Sequence, residues 1–184
     1  LKRLENGHFS KGDNILGVNI GPNFDSKSFE WDFCKSAGSL IKLSLADYIT
    51  INISSPNTEN LRDFHDESKL DSLLKAINKL RKEFGSLMPI FVKVSPDVKD
   101  SSVEKISEII INQKAQGVIL TNTTSINRSS LKSSNKDQAG GLSGKPIRDL
   151  SNKMINKFYK KLKGKVFIIG VGGVDSGKSA FEKI

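Results

Sequence analysis

The sequence has little of several residue types that build reactive or membrane-embedded sites. It contains one cysteine and two histidines in 184 residues. A lone Cys34 excludes a disulfide within the chain and a zinc site built on several cysteines, and it agrees with a reducing compartment. No stretch approaches the roughly 18 apolar residues of a membrane-spanning helix, and the longest runs have the length of a strand. His8 and His65 lie far apart without ligand-spaced partners, so no metal site is expected.

The charge is unbalanced, with 29 Lys+Arg against 20 Asp+Glu and a formal net charge of +9. Such an excess can mark a nucleic acid or anionic membrane partner. The lysines, however, are scattered and fall mostly on predicted helices, which indicates a solvated surface. We expect no nucleic acid partner. A hydrophobic content of 36% is enough for a folded domain, and the length suits one domain or part of one.

Both ends of the sequence suggest that it is an internal piece of a longer protein. It begins at Leu1 rather than Met, without the profile of a signal peptide. Residues 176–184 predict a helix that has only just started after a strand.

Five short apolar runs alternate with helical patterns along the chain. The runs cover residues 15–20, 47–53, 89–94, 117–120 and 166–171. Helical spacing of apolar residues marks residues 29–45, 69–84, 103–110 and 149–162, and on the first of these Trp31 and Cys34 are interpreted as packing residues. This alternation predicts an α/β fold with parallel strands, either a doubly wound sheet or a (β/α)₈ barrel. A whole barrel needs about 250 residues, so five units would be an incomplete one.

Polar residues and glycines stand at the carboxyl end of every predicted strand, where both architectures bind ligands. They are Asn19 and Gly21; Asn52, Ser54, Ser55 and Asn57; Lys93 and Ser95; Thr121, Asn122, Thr123 and Thr124; and Gly170, Gly172 and Gly173. One hydrophilic loop entry is ordinary, but five in register predict a shared site for a polar ligand.

Two of these residues allow a structural and a functional interpretation. Lys93 interrupts the apolar run IFVKV, so it either faces water from an edge strand or pairs with a negatively charged ligand. Ser55 lies in NISSPN, which fits a plain turn. Its hydroxyl is a weak base, so catalysis would need a positioned proton path or a strongly activated C–H. The residues alone do not decide between these alternatives.

The glycine-rich turn at residues 170–173 can bring backbone N–H groups close to a phosphate. Residues 172–179 (GGVDSGKS) also fit the nucleotide-binding loop pattern, with Lys178 and Ser179 as phosphate and magnesium contacts. Such a loop normally follows the first strand of its sheet, whereas four βα units precede this one. A nucleotide-binding protein is therefore kept as an alternative. Residues 125–143 form the one long polar loop, typical of a lid or binding loop.

The strand-end motifs resemble those of class 2 dihydroorotate dehydrogenase, the quinone-linked flavoenzymes of pyrimidine synthesis. In the family's order they are GVNIG (17–21), DYITINISSPNT (47–58), VKVSPD (92–97), TNTT (121–124), GGLSGKP (140–146) and IIGVGG (168–173). Class 1 relatives carry Cys at the position of Ser55, so the serine indicates class 2 and a quinone oxidant. Glu59 and Asn60 replace the family's usual Pro-Gly, which concerns the shape of that loop.

The resemblance implies a (β/α)₈ TIM barrel, with residues 1–184 supplying about five βα units, strands 3 to 7. It implies FMN at the carboxyl ends of the strands and oxidation of dihydroorotate to orotate, with a quinone as electron acceptor, in UMP biosynthesis. Ser55 matches the catalytic base that removes the C5 proton while hydride passes from C6 to flavin N5. Substrate-binding positions are matched by Asn52, Asn57, Asn122 and Thr123, and FMN-binding positions by Asn19, Asn52, Lys93, Thr121, Gly144, Gly172 and Gly173.

The resemblance also implies peripheral contact with a membrane through an amino-terminal helical element that has no counterpart here. The first two barrel strands and the last one have none either. The expected location is the cytoplasmic face of a bacterial inner membrane, with the mitochondrial inner membrane as the alternative, and a monomer is expected. This piece alone is expected neither to close a barrel nor to turn over, because an open barrel exposes strand edges. A non-catalytic flavin- or phosphate-binding barrel is a third possibility.

Overall fold

The computed structural model describes residues 6, 14–23, 25–55, 61–126, 128–129 and 131–184. Within this part of the chain five strands alternate with helices. The strands are β1 (Gly17–Ile20), β2 (Tyr48–Asn52), β3 (Ile90–Val94), β4 (Gly117–Leu120) and β5 (Phe167–Gly170). The α-helices are α1 (Phe29–Leu43), α2 (Glu67–Glu83), α3 (Asp100–Asn112), α4 (Arg148–Leu162) and α5 (Gly177–Phe181). Short 3-10 helices span Leu61–His65 and Lys145–Ile147.

Side-chain caps explain where two of the helices begin. The Ser28 hydroxyl accepts a hydrogen bond from the Trp31 N–H at the start of α1. The Asp66 carboxylate accepts one from the Ser68 N–H, so α2 begins two residues before the apolar spacing predicts. α1 ends at Leu43, because the next residue, Ser44, has a left-handed φ of 50°; the helix therefore stops two residues earlier than expected.

The five strands form one parallel sheet in the order β1-β2-β3-β4-β5. A doubly wound sheet reverses its strand order at a switch point, and this sheet has none, so that alternative is wrong. Sequential parallel order is the topology of a barrel wall, as expected. β3 pairs with β2 on one side and β4 on the other. The edge-strand interpretation of Lys93 is therefore also wrong.

The helices cover one face of this sheet as a single layer, since α1 packs on α2, α2 on α3 and α3 on α4. Between sheet and helices lies one apolar core, formed by strand residues such as Ile51 and Val92 and helix residues such as Phe33, Leu70 and Phe158. Each of these five side chains is completely buried. A buried side chain of this size stabilises the fold by about 1.5–3 kcal/mol, so this layer carries much of the stability.

The opposite face of the sheet forms the inner wall, because alternate strand residues point to opposite faces. Near the amino ends of the strands, the rings of Tyr48 and Phe91 lie 5.1 Å apart. They occupy space left by glycines: a Cβ on Gly17 would lie 2.0 Å from the Tyr48 ring, and one on Gly117 would lie 2.3 Å from the Phe91 ring. On the inner face, two aromatic rings therefore lie near the amino ends of the strands, and the polar residues lie at the carboxyl ends.

The two packing residues predicted on α1 differ in the structure. Trp31 is 59% exposed and stacks under Lys35, whose Nζ lies 4.6 Å from the ring centroid, so the packing interpretation is wrong. The reason is helical geometry, since the buried stripe of α1 includes Phe33 and Ala37 and Trp31 lies on the other side of the helix. Cys34 is half-buried, and burial, followed by the charge of Glu30, raises the pKa of its thiol. A protonated thiol agrees with a packing role.

Candidate active site

The carboxyl edge of the sheet brings three of the predicted strand ends together. Asn52 at the end of β2 is in register with Lys93 on β3. The Asn122 side chain, which follows β4, donates from Nδ2 to Asn52 Oδ1 over 3.1 Å. Residues separated by up to 70 positions thus share one polar cluster. Asn57 lies outside the described residues.

Ser54 connects the members of this cluster by hydrogen bonds. It is completely buried. Its hydroxyl donates to the main-chain oxygen of Lys93 over 2.7 Å and accepts from Asn122 Nδ2 over 3.0 Å. The Ser54 N–H donates to Asn52 Oδ1 over 3.3 Å. Ser54 therefore links the ends of β2, β3 and β4, while the next residue, Ser55, is partly exposed at the same edge.

Lys93 carries the positive charge of the inner wall. It is half-buried between Asn52 and Ile119 in the sheet register. Among the residues that the structure describes, no carboxylate forms an ion pair with it. A cation in an inner wall without such a neighbour suits a ligand that carries or develops negative charge.

Thr121, the first residue after β4, presents a buried hydroxyl to which no described residue bonds. Thr121 is 2% exposed, and its Oγ1 forms no hydrogen bond with any described residue. Its N–H donates to the Val171 carbonyl oxygen over 3.0 Å, which ties β4 to the turn after β5. An unsatisfied buried hydroxyl costs about 1–3 kcal/mol, so a ligand that supplies the missing hydrogen bond would bind favourably here.

Two glycine turns meet and form a cradle, and one of them follows Val171, which bonds the main chain of Thr121. Gly144, Gly172 and Gly173 have φ values of 74°, 115° and 72°. A Cβ on Gly173 would lie 3.0 Å from the Gly144 oxygen and 2.7 Å from Arg148 Cβ. Backbone with positive φ at such turns presents N–H groups to anions, and only glycine allows this close approach.

Charged side chains that the sequence interpretation missed brace the cradle. Arg148 Nε donates to the Gly173 oxygen over 2.8 Å, and the Arg148 guanidinium also bonds Asp175. Lys145 Nζ lies 2.9 Å from Asp175 Oδ2. The hydrogen bond from Lys145 lowers the pKa of the Asp175 carboxyl, with smaller contributions from the Ser179 hydrogen bond and the charge of Arg148. Two basic residues within four positions after Gly144, Lys145 and Arg148, were the available signal for a phosphate site.

The long polar loop is folded onto the same edge at its base. Thr124 and Leu142 form an antiparallel bridge. Thr124 Oγ1 donates to Asp97 Oδ1 over 2.5 Å. Farther out, the Arg128 guanidinium donates to main-chain oxygens of Lys136, Gln138 and Gly140. The loop therefore starts and ends directly beside Thr123 and Asn122.

Comparison with known proteins shows to which family the chain belongs. The family model described as dihydroorotate dehydrogenase matches residues 2–184. The chain belongs to the dihydroorotate dehydrogenase family. A curated dihydroorotate dehydrogenase (quinone) from Idiomarina loihiensis is 41% identical over 186 residues, covering 98% of this chain and 55% of that protein. One from Wigglesworthia glossinidia brevipalpis is 42% identical over 177 residues, covering 93% and 52%.

A solved structure shows the same architecture. The crystal structure of a dihydroorotate dehydrogenase from Eimeria tenella in complex with ferulenol superimposes with a TM-score of 0.90 at 32% identity. The match covers 100% of this chain and 54% of that one. Both the family resemblance and the barrel architecture expected from the motifs are thus confirmed. The chain spans about half the length of the relatives it matches.

The dihydroorotate dehydrogenase fold uses residues 172–179 differently from a nucleotide-binding loop. Ser179 is 1% exposed, and its hydroxyl accepts from the N–H groups of Asp175 and Ser176 over 2.9 and 3.0 Å. It therefore caps α5, a helix of five residues, instead of facing a metal ion. Lys178 is exposed. The geometry argues against the nucleotide-binding alternative.

Asn19 is the predicted site residue least connected to the others. It lies on β1 in register with Thr50, and its side chain forms no hydrogen bond with another described residue. Within the described ranges, no group of three His, Cys, Asp or Glu side chains could hold a metal ion. No helix of that part of the chain is both long and apolar enough to cross a membrane.

Proposed function

We propose that the full-length protein oxidises dihydroorotate to orotate, with FMN as its flavin and a quinone as electron acceptor. The observation that carries this proposal is the polar cluster of Asn52, Lys93 and Asn122 at the carboxyl edge of a wall from this family. The names of the curated relatives support dihydroorotate as substrate and quinone as oxidant.

The described residues fit FMN on two independent features. Thr121 offers a buried hydroxyl that lacks a partner. Gly173 and Gly144 leave a cradle that a Cβ would fill, with Arg148 and Lys145 supplying positive charge beside it. We infer that Gly144, Gly172 and Gly173 hold the phosphate, while Asn19, Asn52, Lys93 and Thr121 contact the rest of the flavin.

Bound FMN supplies the acceptor for the hydride that leaves C6 of dihydroorotate. The chain's own residues do the remaining work. Ser55 accepts the C5 proton, and because a serine hydroxyl is a weak base, the proton needs a path onward from it. Asn52, Asn57, Asn122 and Thr123 hold the substrate ring against the inner wall. The substrate loses one hydride and one proton, and the quinone gains two electrons and two protons.

The wider setting of the protein follows from the same proposal. The chain supplies strands 3 to 7 of an eight-stranded barrel, and on its own it neither closes that barrel nor turns over. A quinone dissolves in the lipid phase, so an enzyme that reduces it works at a membrane surface. The first relatives are bacterial, which favours the cytoplasmic face of a bacterial inner membrane over the mitochondrial one. We propose that the protein binds there peripherally, as a monomer.

The test is dihydroorotate oxidation by the purified full-length protein with a short-chain quinone, compared with oxygen, fumarate and NAD⁺ as acceptors. Ser55→Ala should lower turnover by about 10²–10⁴-fold, the usual contribution of a general base, and leave the flavin spectrum intact. Ser39→Ala on α1, remote from the edge, should match the wild type. Flavin without turnover would indicate a non-catalytic barrel, and preference for fumarate or NAD⁺ would contradict the quinone.

A further inference from the structure

Ser54 has no assigned role, yet its hydroxyl bonds residues at the ends of β2, β3 and β4. It is completely buried beneath Asn52 and Asn122. The side-chain amide of an asparagine can be turned either way unless hydrogen bonds to its neighbours fix it. A buried hydroxyl in this position can therefore fix the orientation of both amides.

The Asn122 side chain forms three hydrogen bonds with described residues. Its two Nδ2 hydrogens go to Asn52 Oδ1 over 3.1 Å and to Ser54 Oγ over 3.0 Å. Its Oδ1 accepts from the Thr123 N–H over 2.8 Å. An amide has two donors and one acceptor oxygen, so these three bonds define which way the Asn122 side chain is turned.

The orientation of Asn52 follows from that of Asn122. Asn52 Oδ1 accepts from Asn122 Nδ2 and from the Ser54 N–H. Its oxygen therefore faces the chain, and its Nδ2 group, which bonds no other described residue, is left for a ligand. The Lys93 side chain lies next to it in register, so two donor groups stand side by side in this part of the wall. Such a pair of donors recognises carboxylate and carbonyl oxygens.

We propose that Ser54 is a positioning residue whose hydroxyl, held between the Lys93 carbonyl oxygen and Asn122 Nδ2, keeps Asn52 turned with its NH₂ group toward the oxygens of the substrate. Without the hydroxyl, Asn122 loses an acceptor and can turn over. Its Oδ1 would then face Asn52 Oδ1, and Asn52 would relieve this repulsion by turning its own oxygen toward the substrate. This inference rests on the proposed function.

The experiment measures orotate affinity, because the oxidised flavin spectrum responds to a ligand bound beside it. In full-length holoenzyme, Ser54→Ala should raise the Kd for orotate and the KM for dihydroorotate about tenfold, while kcat falls less than threefold. FMN content should stay at the wild-type level. Ser54→Thr, which keeps the hydroxyl, should recover most of the affinity. If Ser54→Ala fails to fold, Ser54→Cys takes its place, with an intermediate Kd expected.

The matched control is Ser107→Ala, which removes another buried hydroxyl. Among the described residues this hydroxyl bonds only the Val103 carbonyl oxygen, over 2.7 Å and within α3. It should change stability but leave the orotate Kd unaltered. Wild-type affinity in Ser54→Ala, or an equal loss of affinity in Ser107→Ala, would overturn the positioning role. A wild-type flavin that dihydroorotate does not reduce would instead contradict the proposed function, and this inference with it.

Discussion

Gly173→Ala tests the cradle most sharply, because the added atom has no room. Alanine at a φ of 72° costs about 1–2 kcal/mol. The new Cβ would also lie 2.7 Å from Arg148 Cβ and 3.0 Å from the Gly144 oxygen. Overpacking of this kind costs about 1–3 kcal/mol. We therefore expect a total penalty of about 2–5 kcal/mol at the turn.

Two measurements together detect this penalty in full-length protein. Either urea unfolding shows a less stable apoprotein, or the turn shifts and FMN binds about 30-fold or more weakly, which is the equivalent of about 2 kcal/mol. Gly177→Ala is the control, since no heavy atom lies within 4 Å of its Cβ position and its φ is not positive. Unchanged stability together with unchanged FMN affinity in Gly173→Ala would refute the reasoning.

Two further variants probe the same edge. Thr121→Val removes the hydroxyl that lacks a partner, so the apoprotein should become more stable in urea while FMN binds about tenfold more weakly; equal FMN affinity would show that the flavin does not use this hydroxyl. The Lys145 hydrogen bond keeps the pKa of Asp175 below its usual range. A carboxyl whose pKa is lowered in the folded state stabilises the fold fully at pH values above its unfolded-state pKa of about 3.9. This stabilisation is lost as the pH falls through the folded-state pKa. The difference in unfolding free energy between wild type and Asp175→Asn should therefore be constant from pH 5 to 7 and shrink below about pH 4. A difference that does not change with pH would contradict the ion pair.

Apolar periodicity in the sequence was enough to predict all five strands, because buried parallel strands are continuous apolar runs. The bounds of β4 were predicted as the structure has them, whereas the other four runs extend one or two residues beyond their strands at one or both ends. Ile15 is an example: it belongs to the first apolar run but is 80% exposed, and β1 starts at Gly17. Trp31 was misplaced for a related reason, since composition does not show on which side of a helix an aromatic ring lies.

Long-range contacts were beyond the sequence patterns. Periodicity could not separate a barrel from a doubly wound sheet, because the distinction depends on strand order in space, and only the family motifs favoured the barrel. Ser54 is the clearest case at the site. Its partners Lys93 and Asn122 lie 39 and 68 residues away, so nothing in the local motif distinguishes its buried hydroxyl from that of Ser55.

The most direct test of the proposed function is an absorbance spectrum of the purified full-length protein, followed by dihydroorotate addition without oxygen or quinone. We predict flavin bands that bleach on addition and return when a quinone is supplied, with FMN as the released flavin. A protein without flavin bands, or with bands that dihydroorotate leaves unchanged, would contradict an FMN-dependent oxidation at the carboxyl edge of this sheet.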